Sequence, residues 1–227
     1  MQTKFVTVVI PVYNQYRLTN QLLTDLLAHE NGNIDQIIVA DDNSPEQDAI
    51  GGLEQWGMAL PIKVLRQKQN LGFTLNANAG LKLAMETKKD NHVIFLISND
   101  VRIFGKFIDQ SAEFLLSGRK YLVGQKLLSF DTGWNTFDGK TFSYLEGFFL
   151  AATANGWNEL GFFDENYAPY DYEDIDLSTN AKKLGYKLTP LNSPAISHRG
   201  GGTIGYNPKR EAITRRNQEY FRRKWVR

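Results

Sequence analysis

The sequence predicts an α/β protein: a mostly parallel central sheet, Rossmann-like, with helices on both faces. Two observations carry this. Four strand-like stretches, at residues 5–10, 35–40, 62–66 and 92–97, are separated by segments with apolar residues at helical spacing. Strand–helix–strand alternation of this kind builds parallel sheets. Each run also ends in polar residues, at the carboxyl edge where such sheets bind ligands.

The elements follow in order. FVTVVI (5–10) reads as a fully buried strand that Pro11 stops, with Val12, Tyr13 and Asn14 as the turn. Leu18, Leu22, Leu23, Leu26 and Leu27 predict a helix over 17–27. DQIIVA (35–40) is the next strand, and a helix is expected over 46–56. The third strand, 62–66, leads to the loop Asn70-Leu71-Gly72 and a helix over 74–87 with Leu75, Ala79, Leu83 and Ala84 inward. HVIFLI (92–97) ends at Ser98-Asn99-Asp100, and a helix follows over 107–116. The alternation then fades. Residues 121–130 and 140–150 read as strands around a turn at 131–134, and 156–161 as a short helical turn. Beyond a helix that closes at Gly185, residues 186–190 and 195–197 read as short extended pieces.

The 227-residue chain is 42% hydrophobic and 22% charged, an ordinary globular balance with room for a core. A formal net charge of +1 argues against a nucleic-acid partner. The absence of cysteine excludes disulfides, thiolate metal sites and thiol nucleophiles. The N-terminus enters an apolar strand at once, unlike a signal peptide, and no apolar run reaches membrane-span length. A cytoplasmic protein is expected, with peripheral contact at the inner face of a membrane as a further option.

The most chemically loaded stretch is GFFDENYAPYDYEDIDLSTNAKKLG, residues 161–185. Asp171, Glu173, Asp174 and Asp176 fall within six positions, ahead of Leu177, Ala181 and Leu184 at helical spacing. Carboxylates at a helix start suit the positive end of the macrodipole, and capping alone would account for some of them. Phe162, Phe163, Tyr167, Tyr170 and Tyr172 around them favour a walled pocket in which carboxylates do chemistry.

At the sheet edge, Asp41 or Asp42 can accept hydrogen bonds from a nucleobase or a ribose hydroxyl. Tyr13 can stack on a base, and Asn70, Asn76 and Asn78 offer amides. Asp100, ending an apolar strand, suits Mg²⁺ or Mn²⁺ beside a diphosphate, since these ions take a few carboxylates plus phosphate oxygens. His198 is either a second metal ligand or a structural histidine. The glycines at 200–202 would let backbone amides approach a phosphate. His29 and His92 read as structural. Trp134, Tyr144, Glu146, Trp157, Asp171 and Tyr172 offer the rings and acids that sugars stack on and bond to, with ordinary packing as the alternative for each. Residues 209–227 carry eight basic and two acidic side chains, with Ile213, Tyr220, Phe221 and Trp225 as an apolar side. A helix packed on the domain is expected there. Weak attraction to an anionic membrane surface or a phosphorylated ligand is the alternative.

Pro11-Val12-Tyr13-Asn14, Asp41-Asp42-Asn43-Ser44, Asn70-Leu71-Gly72 with Asn78-Ala79-Gly80, Ser98-Asn99-Asp100-Val101 and Glu173-Asp174-Ile175-Asp176-Leu177 together resemble family 2 glycosyltransferases of the GT-A type. Pro194-Ala195-Ile196-Ser197-His198, through Thr203, resembles that family's C-terminal histidine motif. The resemblance covers residues 5–205 and points to the rhamnosyltransferase-like branch, which builds surface polysaccharides. It implies one GT-A domain over 1–227, with a nucleotide-binding half (1–100), an acceptor and catalytic half (101–208) and a basic C-terminal helix or tail (209–227). It implies inverting transfer from a nucleotide-diphosphate sugar to a hydroxyl of a glycan or lipid-linked acceptor, with Mn²⁺ or Mg²⁺. In that reading Asp41 and Asp42 hold the base and ribose, and Pro11, Tyr13, Asn14, Asn70, Gly72, Asn78 and Asn99 complete the nucleotide site. Asp100 binds the metal and His198 completes its site. Asp174 is the general base, with Glu173 and Asp176 supporting it or touching the acceptor. Two residues depart from the family's pattern. Ser98 stands where many members have aspartate, so the metal has one carboxylate fewer, and Gln15 stands where an acid is common. A non-catalytic nucleotide-sugar-binding module and a sugar-phosphate nucleotidyltransferase are the rival readings. The second would need a glycine-rich loop where this chain has VYNQYR.

Overall fold

A seven-stranded sheet runs through the protein, with helices on both faces. The computed structural model describes residues 4–45, 56–57, 59–128, 136–200 and 207–226. In chain order the elements are β1 (Phe5–Val12), α1 (Tyr16–Glu30), β2 (Gln36–Asp41), β3 (Ile62–Arg66), α2 (Phe73–Met85), β4 (His92–Ile97) and β5 (Val101–Ile103). Next come α3 (Ile108–Leu115), β6 (Tyr121–Gly124), β7 (Leu127–Leu128), β8 (Thr136–Phe137), β9 (Lys140–Thr141), β10 (Tyr144–Leu145), β11 (Phe149–Thr153) and α4 (Ala154–Leu160). A 3₁₀ turn (Glu165–Tyr167), α5 (Glu173–Lys183), β12 (Lys187–Pro190), β13 (Ile196–His198) and α6 (Pro208–Trp225) complete it. The helix expected over 46–56 lies mostly outside the described residues, as do the turn at 131–134 with Trp134, and Gly201 and Gly202.

The strand order is β12-β6-β11-β4-β1-β2-β3, all parallel except β11, which runs antiparallel to both neighbours. The central strands are apolar throughout because both faces are covered. Val6, Val8, Ile10, Ile37 and Val39 pack with α1 and α3, while Val9, Ile38, Ile94 and Leu96 pack with α2, α4 and α5. The chain order reverses between β1 and β4, which opens a crevice at their carboxyl ends.

Several expected boundaries move for identifiable reasons. Pro11 does not stop β1. Asp42 N–H donates to the Val12 carbonyl, so Pro11 faces β4, whose ladder with β1 has already ended at the Val9–Leu96 pair. No bond is lost to its missing N–H. Helix α2 presents Ala77, Gly80, Leu81 and Ala84 to the sheet rather than Leu75, Ala79 and Leu83. The amides of Asn76 and Asn78 are buried on it by bonding to the Ala40 and Phe163 carbonyls at 2.7 and 2.8 Å. The strand expected over 121–130 breaks at Gln125, whose side chain bonds to Ser193 and to the Ile196 carbonyl. The strand expected over 140–150 is three pieces, interrupted at Gly147, whose N–H turns to Asp174. Strand β5 was not expected, being three residues long. It pairs antiparallel with β13. Two buried acids of α1 secure this region. Asp25 takes the Arg102 guanidinium at 2.6 Å and Ile103 N–H, and Glu30 takes the Phe107 and Ile108 N–H groups at the start of α3.

A Cβ at Gly80 would lie 2.6 Å from Val9 Cγ1 and 3.2 Å from Ala40 Cβ. Gly80→Ala gains up to about 1 kcal/mol of helix propensity, but the overpacking it forces costs about 1–3 kcal/mol. Its denaturation midpoint should therefore fall. A midpoint at or above wild type would show that α2 lifts from the sheet at no cost.

Candidate active site

A cavity of about 500 Å³ occupies the crevice. Pro11, Tyr13, Asp42, Asn70, Gly72, Asn76, Ser98, Asn99, Asp100 and His198 line it from the sheet edge. Tyr144, Glu146, Gly147 and Phe148 line it from the break between β10 and β11. Tyr170, Asp171, Glu173, Asp174 and Arg210 complete it.

At the sheet edge, the two aspartates at the end of β2 divide their tasks. Asp42 faces the cavity and accepts the N–H groups of Leu71 and Gly72 at 2.7 and 2.8 Å. Burial pushes its pKa up to about 6, against the pull of those two N–H groups. Asp41 points away. Its carboxylate takes Ser44 Oγ and lies 3.5 Å from Arg66, and Ser44 Oγ accepts Asn14 N–H at 2.7 Å. Asp41 therefore ties the loop after β1 to the loop after β2 and is not in the cavity wall. Asn14 is not in the wall either, and its Oδ1 is buried without a hydrogen-bond partner. Asn78 is spent on the Phe163 backbone, donating to its carbonyl and accepting its N–H. Gly72 matters for space: at φ +82° a Cβ there would lie 2.2 Å from Pro169 Cβ.

Asp100 and His198 meet across the β5–β13 pair, with Nε2 3.1 Å from Oδ1. The imidazole stacks on Phe148 at 4.0 Å between ring centroids, inclined by 14°. Gln125 fixes the approach to β13. Among the described residues no three Asp, Glu, His or Cys side chains converge as a metal cage. One carboxylate and one imidazole side by side are hard and borderline donors that fit Mn²⁺ or Mg²⁺ when phosphate oxygens complete the shell. Ser98, in the same wall, is a weaker oxygen donor than the expected aspartate.

The acidic stretch splits into two pairs. Glu173 and Asp174 face the cavity. Asp174 accepts Gly147 N–H at 3.0 Å and Ile175 N–H at 2.8 Å. Burial, reinforced by Asp171 and Glu146, raises its pKa from 3.8 to about 6 despite those two bonds. Glu173 is buried, its Oε2 lacks a hydrogen-bond partner, and burial and then the charge of Asp174 push its pKa well up. Asp171 and Asp176 are held by α6. Asp171 takes Arg210 Nε at 3.1 Å and Nη2 at 2.8 Å, and Thr214 Oγ1 at 2.6 Å. Asp176 takes Tyr167 Oη, Lys224 Nζ and Trp225 Nε1 at 2.9, 2.9 and 2.6 Å. Tyr172, expected near the acceptor, is buried against Phe137 and Phe221 and is absent from the cavity wall. Trp157 is wholly buried, donating to the Ile94 carbonyl.

The cavity thus gathers Pro11, Tyr13, Asp42, Asn70, Gly72, Asn99, Asp100, Glu146, Asp171, Glu173, Asp174 and His198. It does not gather Asn14, Asp41, Asn78 or Tyr172, and Trp134 lies outside the described residues. Arg210 was not anticipated. In sequence it is one of eight basic residues in the tail, and only the return of α6 to the acidic stretch distinguishes it.

Compared with known proteins, residues 7–177 match the family description "Glycosyl transferase family 2". The chain belongs to that family. No curated protein matches it. Its fold is that of GT-A glycosyltransferases of known structure. A mannosyltransferase, PcManGT from Pyrobaculum calidifontis in complex with GDP-Man and Mn²⁺, aligns at TM-score 0.61 and 16% identity over 83% of this chain and 55% of that one. GalNAc-T7 with UDP, GalNAc and Mn²⁺ aligns at TM-score 0.66 and 13% identity over 82% and 42%. S. aureus TarS 1-349 in complex with UDP aligns at TM-score 0.65 and 16% identity over 95% and 64%. The chain spans about half the length of these neighbours.

The raised pKa of Asp174 has a sign that can be measured. Between pH 3.8 and about 6 the folded protein keeps a proton that the unfolded chain has released. Rising pH therefore destabilises wild type through this residue. Asp174→Asn removes that dependence. Its melting temperature without ligand should gain on wild type as pH rises from about 4 through about 6, and further until wild-type Glu173, whose pKa burial and then the Asp174 charge raise, has also ionised. Buried His92, whose pKa is lowered, acts oppositely near the top of this range but cancels in the difference. A difference that did not change with pH would contradict the assignment.

Proposed function

We propose that the protein moves a sugar, with inversion, from a nucleoside-diphosphate sugar to a hydroxyl of a glycan or lipid-linked acceptor, with Asp174 as the general base. The observation that carries this is the position of the Asp174 carboxylate, on the same cavity as Asp42 and the Asp100–His198 pair. The nucleotides bound in PcManGT and TarS support the donor class.

Tyr13 and Asp42, in the cavity wall, would receive the base and ribose, with amides from Asn70, Asn76 and Asn99. Asp100 and His198 would hold a divalent cation with the diphosphate, and that cation would stabilise charge on the leaving group. The acceptor oxygen bonds to the anomeric carbon as the bond from that carbon to phosphate oxygen breaks, and the nucleoside diphosphate leaves with the bonding pair. The acceptor proton passes to Asp174. Each of its carboxylate oxygens accepts one backbone N–H and retains acceptor capacity for the incoming hydroxyl. A pKa near 6 keeps it ionised at neutral pH while lifting its basicity. Direct attack opposite the leaving group inverts the anomeric centre. Glu173 and Glu146 are placed to meet sugar hydroxyls.

Among the described residues no helix is long and apolar enough to cross a membrane. We propose a cytoplasmic protein in which the exposed basic side chains of α6, such as Lys209 and Arg223, make weak contact with an anionic bilayer.

Asp174→Asn should lower transfer by about 10²–10⁴-fold with nucleotide affinity near wild type by calorimetry. Turnover retained at wild-type level would remove Asp174 as the base. Chelation should weaken nucleoside-diphosphate binding to wild type, and Asp100→Ala should abolish that sensitivity. Equal affinity with and without metal in wild type would sink the metal assignment.

A further inference from the structure

Asp171 and Tyr172 have φ values of +73° and +78°. Two consecutive non-glycine residues in left-handed conformation are strained, at about 1–3 kcal/mol each, and persist only where surroundings enforce them. They directly precede Glu173 and Asp174, and so set where α5 begins and where its first carboxylates point. Helix α6 contacts this turn at every level. The Asn217 side-chain N–H₂ donates to the carbonyls of Tyr167, Tyr170 and Asp171 at 2.8, 2.8 and 2.7 Å, two hydrogens serving three acceptors, and the residue is wholly buried. Arg216 reaches the Ala168 carbonyl, and its guanidinium also donates to Asn217 Oδ1 at 2.8 Å. Arg210 and Thr214 hold the Asp171 carboxylate, and Phe221 packs on Tyr172 with ring centroids 5.8 Å apart. None of these helix residues lies within the matched span 7–177.

We infer that α6 is part of the catalytic apparatus: Asn217 and Thr214 are positioning residues that hold the strained turn 167–172 and so aim Asp174 at the acceptor. This rests on the reading of Asp174 as the base. Asn217 acts on the backbone and Thr214 on the side chain of the same residue, Asp171, so each tests the hold independently. A base displaced by about 1 Å loses about 10²-fold in rate. The held turn meets the nucleotide side where Pro169 packs on Gly72 and takes Thr74 N–H, while Tyr13, Asp42 and Asp100 stand on the sheet edge and not on the turn.

The test uses Asn217→Asp, which keeps the size but removes both N–H donors, and Thr214→Val, which keeps the shape but removes the hydroxyl. Transfer kinetics, UDP and GDP binding by calorimetry, and melting temperature are measured on each full-length variant, alone and combined with Asp174→Asn. Asn217→Asp should lower kcat by about tenfold or more and Thr214→Val by less. The Kd of whichever nucleotide binds wild type should stay within about twofold. In the Asp174→Asn background both substitutions should cost little further, because they act through the same carboxylate. Unchanged kcat, loss of nucleotide affinity in step with kcat, or an undiminished loss in the Asp174→Asn background would overturn the inference. Failure of the base assignment would register separately, as wild-type turnover by Asp174→Asn alone.

Discussion

The hydrogen bond from Gly147 N–H to the Asp174 carboxylate joins two segments that sequence alone would keep apart. One is the break between β10 and β11, and the other is the first turn of α5. Without that bond, residues 140–150 have the composition of a continuous strand. With it, the chain leaves the β10–β7 ladder, carries Glu146, Gly147 and Phe148 into the cavity wall and joins the main sheet only at β11. A Cβ at Gly147 would approach Asp174 Cβ to 3.2 Å, so glycine is what lets the backbone come this close. Phe148 then stacks on His198. A single amide–carboxylate contact thus places the Asp174 carboxylate, an acidic wall and the seat of the His198 imidazole relative to one another.

The cavity is acidic, which is a demanding environment for an anionic ligand. Asp42, Asp100, Glu146, Asp171, Glu173 and Asp174 line it, against His198 and Arg210. The protein limits the repulsion in three ways. Arg210 neutralises Asp171 in a bidentate pair. Burial shifts Glu173 towards its neutral form. Backbone N–H groups, rather than cations, hold Asp42 and Asp174. A carboxylate held by amides keeps its charge available, whereas one locked to a guanidinium does not. This is why Asp171 and Asp174, three residues apart, are suited to different work.

The fold was legible in sequence because buried parallel strands are continuous apolar runs, and β1, β2 and β4 fall where those runs lie; β3, an edge strand with Lys63 and Arg66 exposed, was legible from its place in the strand–helix alternation. The second half was less so. Strand β5 and the pieces of 140–150 are too short for periodicity, and their positions are dictated by long-range bonds to β13 and α5. The site was legible where polar residues end a strand, as at Asp42, Asn99 and Asp100. It was not legible where two like residues adjoin. Nothing in Asp41-Asp42 says that one builds the floor beneath the loops and the other faces the ligand. The choice is made by strand pleat and by Ser44 and Arg66. An amide suits a nucleotide and a ring suits a sugar, which is why Asn78 and Tyr172 read as ligand contacts, but the interior had prior use for both. Arg210 carried no local signal at all, since its meaning comes from a partner 39 residues away.

Among the described residues, no strand of the sheet pairs with the outer side of β3 or of β12. Such borders are templates on which another polypeptide can add a strand. Exposed Lys63 and Arg66 sit on one border, and exposed Lys187 and the terminal Pro190 on the other. Like charges meeting along a shared seam, and a ring that cannot donate to it, discourage copies from zipping edge to edge. The sheet can therefore end in two border strands without offering a seam that a second copy would readily join.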